Sequence, residues 1–328
     1  MTAFEPEEEH HLNRERHPKL TVIILNHNGW TQNRRVLIEC VRNSLSVDVD
    51  NEVIFVDNGS TDDSLQSIRG IFHDQLNYVS SAVNLGYGAG MNLGAKSASQ
   101  TSKYLFFVNN DVVFSCKAVL GLIKFLEANP NIAVAGCTEV FQNRDTGPGG
   151  SFLNMRLIHR RPPTATNSYY VTMVENFFVV RKEVYAYLGG FDHAFFQVWD
   201  EADLCLRAWF SGHSVATNPG LRVVHLHNLP NKKSYGRLFR HTRNKYLVMI
   251  KLYSLRYLTL YLPLSLFSDV WKSIVDDEWR KFGGIEITAK AILDVLLNFR
   301  GYYQSRVLFC CKKKVSERYL IKKGILWR

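Results

Sequence analysis

Four short apolar runs, each followed by a helical pattern, fill the first 130 positions of this 328-residue chain. LTVIIL (20–25), EVIFVD (52–57), NYVSSAV (77–83) and KYLFFVN (103–109) read as buried strands. Helical spacing follows them to about Leu45, to about Phe72, near 87–99 and near 116–128. Strands that alternate with helices are joined by crossovers, which predicts an α/β fold with a doubly wound, mostly parallel, Rossmann-like sheet. Sheets of this kind bind ligands outside the carboxyl ends of their strands. All four runs end in polar residues: Asn26-His27-Asn28, Asp57-Asn58, Asn84 and Asn109-Asn110-Asp111. A site is expected there.

Asp111 interrupts LFFVNNDVVF, and a carboxylate between two hydrophobic segments is costly to bury unless something pairs with it. It reads either as a cap on the following helix or as a ligand for a divalent cation, since hard cations take carboxylate oxygen. Asp200, Glu201 and Asp203 in WDEADLCLR crowd three carboxylates into four residues, with only Arg207 one turn on to offset them. They form either an acidic helix N-terminus favoured by the dipole or a general base tuned by its neighbours. His225 and His227 close a predicted strand and are either structural or metal-ligating. Gly88, Gly90 and Gly94 make a GxGxxxG with Asp111 about twenty residues beyond, a weak relative of the dinucleotide fingerprint. The turn follows the third strand rather than the first, so a nicotinamide enzyme is the minor reading. Close packing of a helix on the sheet is the plainer one.

From 131 to 231 the pattern loosens, with TGPGG and RRPPTAT as surface loops and VTMVENFFVVRKEVY as a strand or two. The second half of FDHAFFQVWDEADLCLRAWFSGH reads as a helix, and VATNPGLRVVHLHN as a turn and a strand. The net charge of +10 is uneven: residues 232–328 hold 21 Lys+Arg against 7 Asp+Glu, and residues 1–231 hold 19 against 23. That tail is helical and aromatic, but its longest uncharged run, Tyr257 to Ser268, has 12 residues where a membrane span needs roughly 20. Leucines and aromatics mixed with cations suit a helix lying in the interface of an anionic membrane; a helical cap on the sheet is the plainer alternative. No nucleic-acid-binding module accompanies the charge, so nucleic acid is not an expected partner. Six cysteines without CxxC or zinc spacing read as free thiols in a reducing compartment. Residues 1–18 lack an apolar core and read as a disordered leader, not a signal peptide.

In order along the chain stand ILNHNG (24–29), VDNGSTD (56–62), VNLGYGAGMNLG (83–94), VNND (108–111), GGFDHAFFQVWDEADLCLR (189–207) and VVHLHN (223–228). Together they resemble the motif series of the inverting family 2 glycosyltransferases of the GT-A fold, nearest the bacterial and archaeal rhamnosyltransferase-like subset. The match runs from about Lys19 to Asn228, and YYQSRVLFCCKKKVSERYL echoes the family's basic, aromatic tail. The resemblance implies a GT-A catalytic domain at 19–231, with a nucleotide-binding half (19–130) and an acceptor half (131–231). A helical, basic membrane-association region would follow at 232–328. It implies a nucleotide pocket of Asn26, Asn28, Asp57, Asn84, Gly86 and Asn109, with Asp57 reading a pyrimidine base. It gives Asp111 and His225 to a divalent cation, Mg2+ or Mn2+, and makes Glu201 the catalytic base, with Asp200 and Asp203 as companions in the acidic block.

Some positions depart from the family pattern. The order Asp200-Glu201 reverses the family's usual Glu-Asp, so Asp200 stays a candidate base. Glu175 and Asn176 stand where relatives often carry Ser-Gly near the acceptor, and Asn110 replaces a common proline. The implied function is sugar transfer in polysaccharide biosynthesis, from a nucleotide-sugar donor to a lipid-linked or cell-envelope glycan acceptor, with rhamnose the closest analogue. The enzyme would be cytoplasmic and peripheral on the inner face of the cell membrane. The competing reading is a non-catalytic sugar-nucleotide-binding pseudoenzyme or assembly subunit, for which the 200/201 inversion is the sequence support.

Overall fold

The four apolar runs become β1 (Leu20–Asn26), β2 (Asn51–Asn58), β3 (Asn77–Ser81) and β4 (Tyr104–Asn109), paired in parallel in the order β3-β2-β1-β4. The computed structural model describes residues 19–141, 144–145, 150–160, 170–225 and 234–327. The expected leader (1–18), most of the two expected loops (146–149 and 161–169) and His227 lie outside these described residues. Register brings the polar strand ends level, with Asn26 beside Asp57 and Leu25 beside Asn109.

Beyond β4 the sheet is mixed. β10 (Phe177–Arg181) runs antiparallel between β4 and β6 (Ile132–Phe141), while β11 (Ser214–His225) lies parallel to β6. β5 (Val112–Val113) pairs antiparallel with the end of β11, and β7 (Arg144–Asp145) with β6. A second, small sheet joins β8 (Phe152–Asn154), β9 (His159–Arg160) and β12 (Leu326–Trp327). The predicted turn at NPG proves to lie inside β11 as an irregularity: the register shifts between Asn218 and Arg222. Pro219 cannot donate to the ladder, so the strand bulges past it.

The strand period of two divides the core between the two faces of the sheet. Leu20, Val22 and Ile24 pack with α1 (Gly29–Leu45), α2 (Ser64–Phe72) and α4 (Cys116–Ala128). Ile23 and Leu25 face α3 (Tyr87–Lys96), α5 (Lys182–Leu188) and α6 (Asp200–Phe210). Adjacent phenylalanines part the same way: Phe106 meets Phe177 at 4.6 Å between ring centroids, and Phe107 meets Phe178 at 5.4 Å on the other face. The glycines of α3 serve this packing. A Cβ on Gly94 would stand 2.5 Å from Ile23 Cγ2, and one on Gly90 would stand 2.5 Å from Leu25 Cδ1.

The basic tail folds as α7 (Tyr235–Leu252), α8 (Leu255–Val275), α9 (Asp277–Lys281), α10 (Gly284–Leu297), α11 (Phe299–Cys310) and α12 (Glu317–Lys322). It shares the α3 side of the core through Tyr246, Val248, Ala291, Phe309 and Leu320. Helix α8 is reversed relative to an ordinary surface helix. Its buried positions are Ser265, Asp269 and Ser273, while Phe267 and Trp271 are 68% and 57% exposed. Among the described residues, no helix is long and apolar enough to cross a membrane.

Gly94→Val should lower stability by about 1–3 kcal/mol through overpacking between Ile23 and Val56. Denaturant unfolding measures this; an unchanged midpoint would mean that α3 does not need the close approach.

Candidate functional site

A hydrogen-bonded set of amides closes the carboxyl edge of the sheet. Asn110 Nδ2 donates to Asn26 Oδ1 at 2.7 Å, and Asn26 Nδ2 reaches Asp57 Oδ1 at 3.3 Å and Ser60 Oγ at 3.1 Å. Ser60 Oγ donates to Asp57 Oδ1 at 2.5 Å. Asn28 caps α1 in the left-handed conformation and accepts from Thr61 N at 2.7 Å. Asn58 Nδ2 bonds Asn84 Oδ1 at 3.2 Å and Gly86 O at 3.0 Å. In front of this set is a cavity of about 240 Å³ bordered by His27, Asn58, Asn84, Gly86, Asn109 and Phe196. Of the six expected nucleotide residues, Asn84, Gly86 and Asn109 line it; Asn26 and Asp57 are buried in the network that fixes their positions. Gly86 is required sterically, because a Cβ there would meet Phe196 O at 2.0 Å.

A second cavity, of about 380 Å³, continues the first: Tyr87, Asn109 and Gln197 border both. Asp200 and Glu201 stand in its wall, with Glu175, Asn176, His159 and Trp199 around them. Asp200 is only 1% exposed, and neither carboxyl oxygen has a hydrogen-bond partner. Burial, then the charges of Glu201 and Asp203, hold it well above the ordinary aspartate value of 3.8. Glu201 is half-buried. The buried Tyr87 hydroxyl is likewise pushed far up, by burial first and then by the two carboxylates.

Asp203 behaves differently from its two neighbours, which corrects the expectation that placed it with them in the catalytic block. It is fully buried and bound to Arg207 at 2.7 Å and Lys251 at 2.9 Å, and it does not line the cavity. Its place one turn along α6 points it into the protein, where it serves as a counter-ion.

The expected metal residues converge through the backbone. β5 begins one residue after Asp111, and its Val112 pairs with His225 at the end of β11. Aspartate and histidine are donor types that divalent cations accept, and the strand pairing sets these two chain positions at adjoining strand ends. Among the described residues no three His, Cys, Asp or Glu side chains cluster as ligands, so substrate oxygens and water would complete the shell.

Among the described residues, four of the seven non-glycine residues with positive φ border the cleft: Asn176, Phe196, Val198 and Trp199. Such backbone costs on the order of 1–3 kcal/mol per residue and persists only where surrounding contacts hold it. The tail supplies part of the wall as well. Arg237 and His241, four apart on α7, line the larger cavity, and Trp199 Nε1 donates to His241 O at 3.0 Å. The His241 imidazole is lowered to about 3 by enclosure and by nearby Lys245, and is therefore neutral. Sequence reasoning missed Tyr87, His159, Gln197, Arg237 and His241. The one available signal was the i,i+4 spacing of Arg237 and His241, which puts both on a single helix face.

A family model described as "Glycosyl transferase family 2" matches residues 21–189, more than half of the chain. No curated protein sequence matches it. Several solved structures are similar in fold. Mannosyltransferase PcManGT from Pyrobaculum calidifontis, in complex with GDP-Man and Mn2+, has 15% identity and a TM-score of 0.55, over 94% of this chain and 86% of that one. S. aureus TarS 1-349 in complex with UDP-GlcNAc has 15% identity and a TM-score of 0.56, over 94% and 93%. GalNAc-T7 with UDP, GalNAc and Mn2+ has 15% identity and a TM-score of 0.58, over 87% and 58%. At these identities the likeness is one of fold.

The raised Asp200 carboxyl makes a pH prediction. The folded state binds its proton more tightly than the unfolded chain, so this group stabilises the fold at low pH. That contribution is lost as pH rises from about 4, where an unfolded aspartate titrates, toward the raised folded value. Asp200→Asn should therefore flatten the fall in stability as pH rises above about 4, measured by denaturant unfolding. Identical slopes in the two proteins would exclude the buried, proton-holding carboxyl.

Proposed function

The chain belongs to glycosyl transferase family 2, and from that premise we propose an inverting, metal-dependent transfer of a sugar from a nucleotide-sugar donor to a lipid-linked or cell-envelope glycan. One observation carries the reading: the amide-lined cavity at the strand ends opens, through Tyr87, Asn109 and Gln197, into a cavity whose wall carries Asp200 and Glu201, with Glu175 beside them. The nucleotide occupies the first, against Asn84, Gly86 and Asn109, and the acceptor hydroxyl enters the second. Asp111 and His225 would hold a divalent cation, Mg2+ or Mn2+. When bound, it supplies Lewis-acid neutralisation of the diphosphate. The mannosyltransferase and GalNAc-T7 structures both hold Mn2+.

Glu201 is the general base. Both carboxylates border the cavity, but Glu201 is half-buried, whereas Asp200 is almost wholly enclosed and its burial favours the protonated form. The acceptor oxygen bonds to C1 of the donor sugar while its proton passes to the Glu201 carboxylate. The C1–O bond to the nucleoside diphosphate breaks on the opposite face, and the anomeric centre inverts. Rhamnose heads the sugars to try, on the motif resemblance; the similar structures bind GDP-Man and UDP-GlcNAc.

The cell-membrane reading draws on α8. Its exposed Leu260, Leu264, Phe267 and Trp271, beside a tail carrying 21 Lys+Arg against 7 Asp+Glu, suit a bilayer interface with anionic lipid. Peripheral attachment to the cytoplasmic face would bring the α7 wall of the acceptor cavity to a lipid-linked substrate.

Nucleotide release from a panel of UDP-, GDP- and dTDP-sugars, with membrane extract as acceptor, tests the chemistry. Release from one donor should vanish with EDTA and in Asp111→Ala. Glu201→Gln should lower kcat by about 10²–10⁴-fold, and Asp200→Asn far less. Donor binding without turnover would favour the pseudoenzyme. Phe267→Glu with Trp271→Glu should weaken co-sedimentation with vesicles containing phosphatidylserine; unchanged binding would remove α8 as the attachment face.

A further inference from the structure

The five residues ahead of the catalytic pair, Phe195 to Trp199, carry positive φ at Phe196 (62°), Val198 (72°) and Trp199 (72°), with no glycine to tolerate it. For a β-branched residue such as Val198 this is a steric outlier, so the loop does not hold itself in place. Nor does α6 cap itself: Trp199 at its N-cap makes no capping hydrogen bond through its side chain. The turn must be held from outside, and α7 does so.

Asn244 on α7 is fully buried. Its side-chain nitrogen, with two N–H groups of which one is shared, is within hydrogen-bond distance of three loop carbonyls, Phe195 O at 2.9 Å, Gln197 O at 2.9 Å and Val198 O at 2.8 Å. The orientation of the amide is unambiguous, because Arg243 Nε can only donate and reaches Asn244 Oδ1 at 2.8 Å. Arg243 Nη2 adds a bond to Ala194 O at 2.8 Å, and His241 O takes the Trp199 indole N–H at 3.0 Å. From the opposite side, Tyr87 N donates to Phe196 O at 2.6 Å. The loop is thereby stretched between α3 and α7, and Asp200 and Glu201 begin immediately after it.

Resting on the transferase reading above, we propose that Asn244 is a positioning residue for catalysis: by binding three loop carbonyls it holds Glu201 and Asp200 toward the acceptor cavity. It borders neither of the two cavities. It lies beyond the 21–189 stretch that matches the family model, in a region whose sequence reads as a basic tail. Asn244 is fully buried, so the carbonyls depend on a donor supplied by the protein. An isosteric carboxylate keeps the shape and the Arg243 contact but donates nothing, so Asn244→Asp separates hydrogen bonding from space filling.

The experiment compares wild type, Asn244→Ala, Asn244→Asp and Val248→Ala. Val248 is a fully buried α7 residue away from the loop and controls for loss of stability. Hydrogen exchange of the amides from 195 to 203 is read in the absence of any donor, and kcat and its pH profile are read in the nucleotide-release assay. Both Asn244 variants should exchange much faster than Val248→Ala across 195–203. Their kcat should fall about 10²-fold, the scale of a displacement near 1 Å, with the limb of the pH profile that reports the base displaced. Should those variants fail to fold, Asn244→Ser keeps one donor and carries the same test. Exchange as slow as wild type in the Asn244 variants overturns the proposal, whatever the turnover. Faster exchange with kcat equal to that of Val248→Ala overturns it too. A wild type with no turnover on any donor sinks the transferase reading instead, and the exchange comparison still decides whether Asn244 clamps the loop.

Discussion

In-register parallel pairing of β1 with β2 and β4 is the constraint on which the rest of the molecule depends. It brings Asn26, Asp57 and Asn109 to one level at the carboxyl edge, where each strand has run out of apolar residues. Buried polar groups have to be hydrogen-bonded, and here they are bonded chiefly to one another. Asn110 reaches Asn26, Asn26 reaches Asp57, and Asn58 reaches Asn84. A rigid polar floor results. Gly90 lets α3 approach Leu25 and Asn58 of the sheet, while Gly86 and Gly88 leave room for Phe196, Phe191 and Asp200 on the other side of the cleft.

The second support is a buried charge. Asp203 joins Arg207 within α6 to Lys251 of α7, and Lys251 also reaches Asp192 at 2.7 Å. Removing one partner from such a buried set costs about 3–5 kcal/mol, since the others are left uncompensated. The helical tail is thus bound to α6 by charge and to the loop before it by the Asn244 amide. It forms a wall of the site as well as a face toward the outside. Asp203, two positions after Glu201, lies about 200° around the helix from it and so faces Arg207 and Lys251 inside the protein.

Much of the site was legible from residues 19 to 111, because each strand there is a continuous apolar run and its polar end is adjacent in sequence. Asn84, Gly86, Asn109 and Glu201 were expected at the cleft and are there. The antiparallel insertion of β10 between β4 and β6 was not legible. FFVVR reads as a strand, but pairing direction depends on how the chain returns to the sheet. His159, Gln197, Arg237 and His241 were missed for a related reason. Each is an ordinary polar residue in its own segment, brought to the cavity only by packing of distant elements.

By itself, the sequence determined the α/β alternation, the polar strand ends and the acidic block, since periodicity and local composition are properties of contiguous residues. It also determined the charge asymmetry of the tail. Only the tertiary structure decided which carboxylates face the cavity, and that the tail helix closes it. It also turned α8 to bury serines and an aspartate while exposing phenylalanine and tryptophan. The physical reason is the same in each case. Burial, and with it the pairing and protonation of a side chain, is set by neighbours tens or hundreds of residues away, and these are decided only by packing.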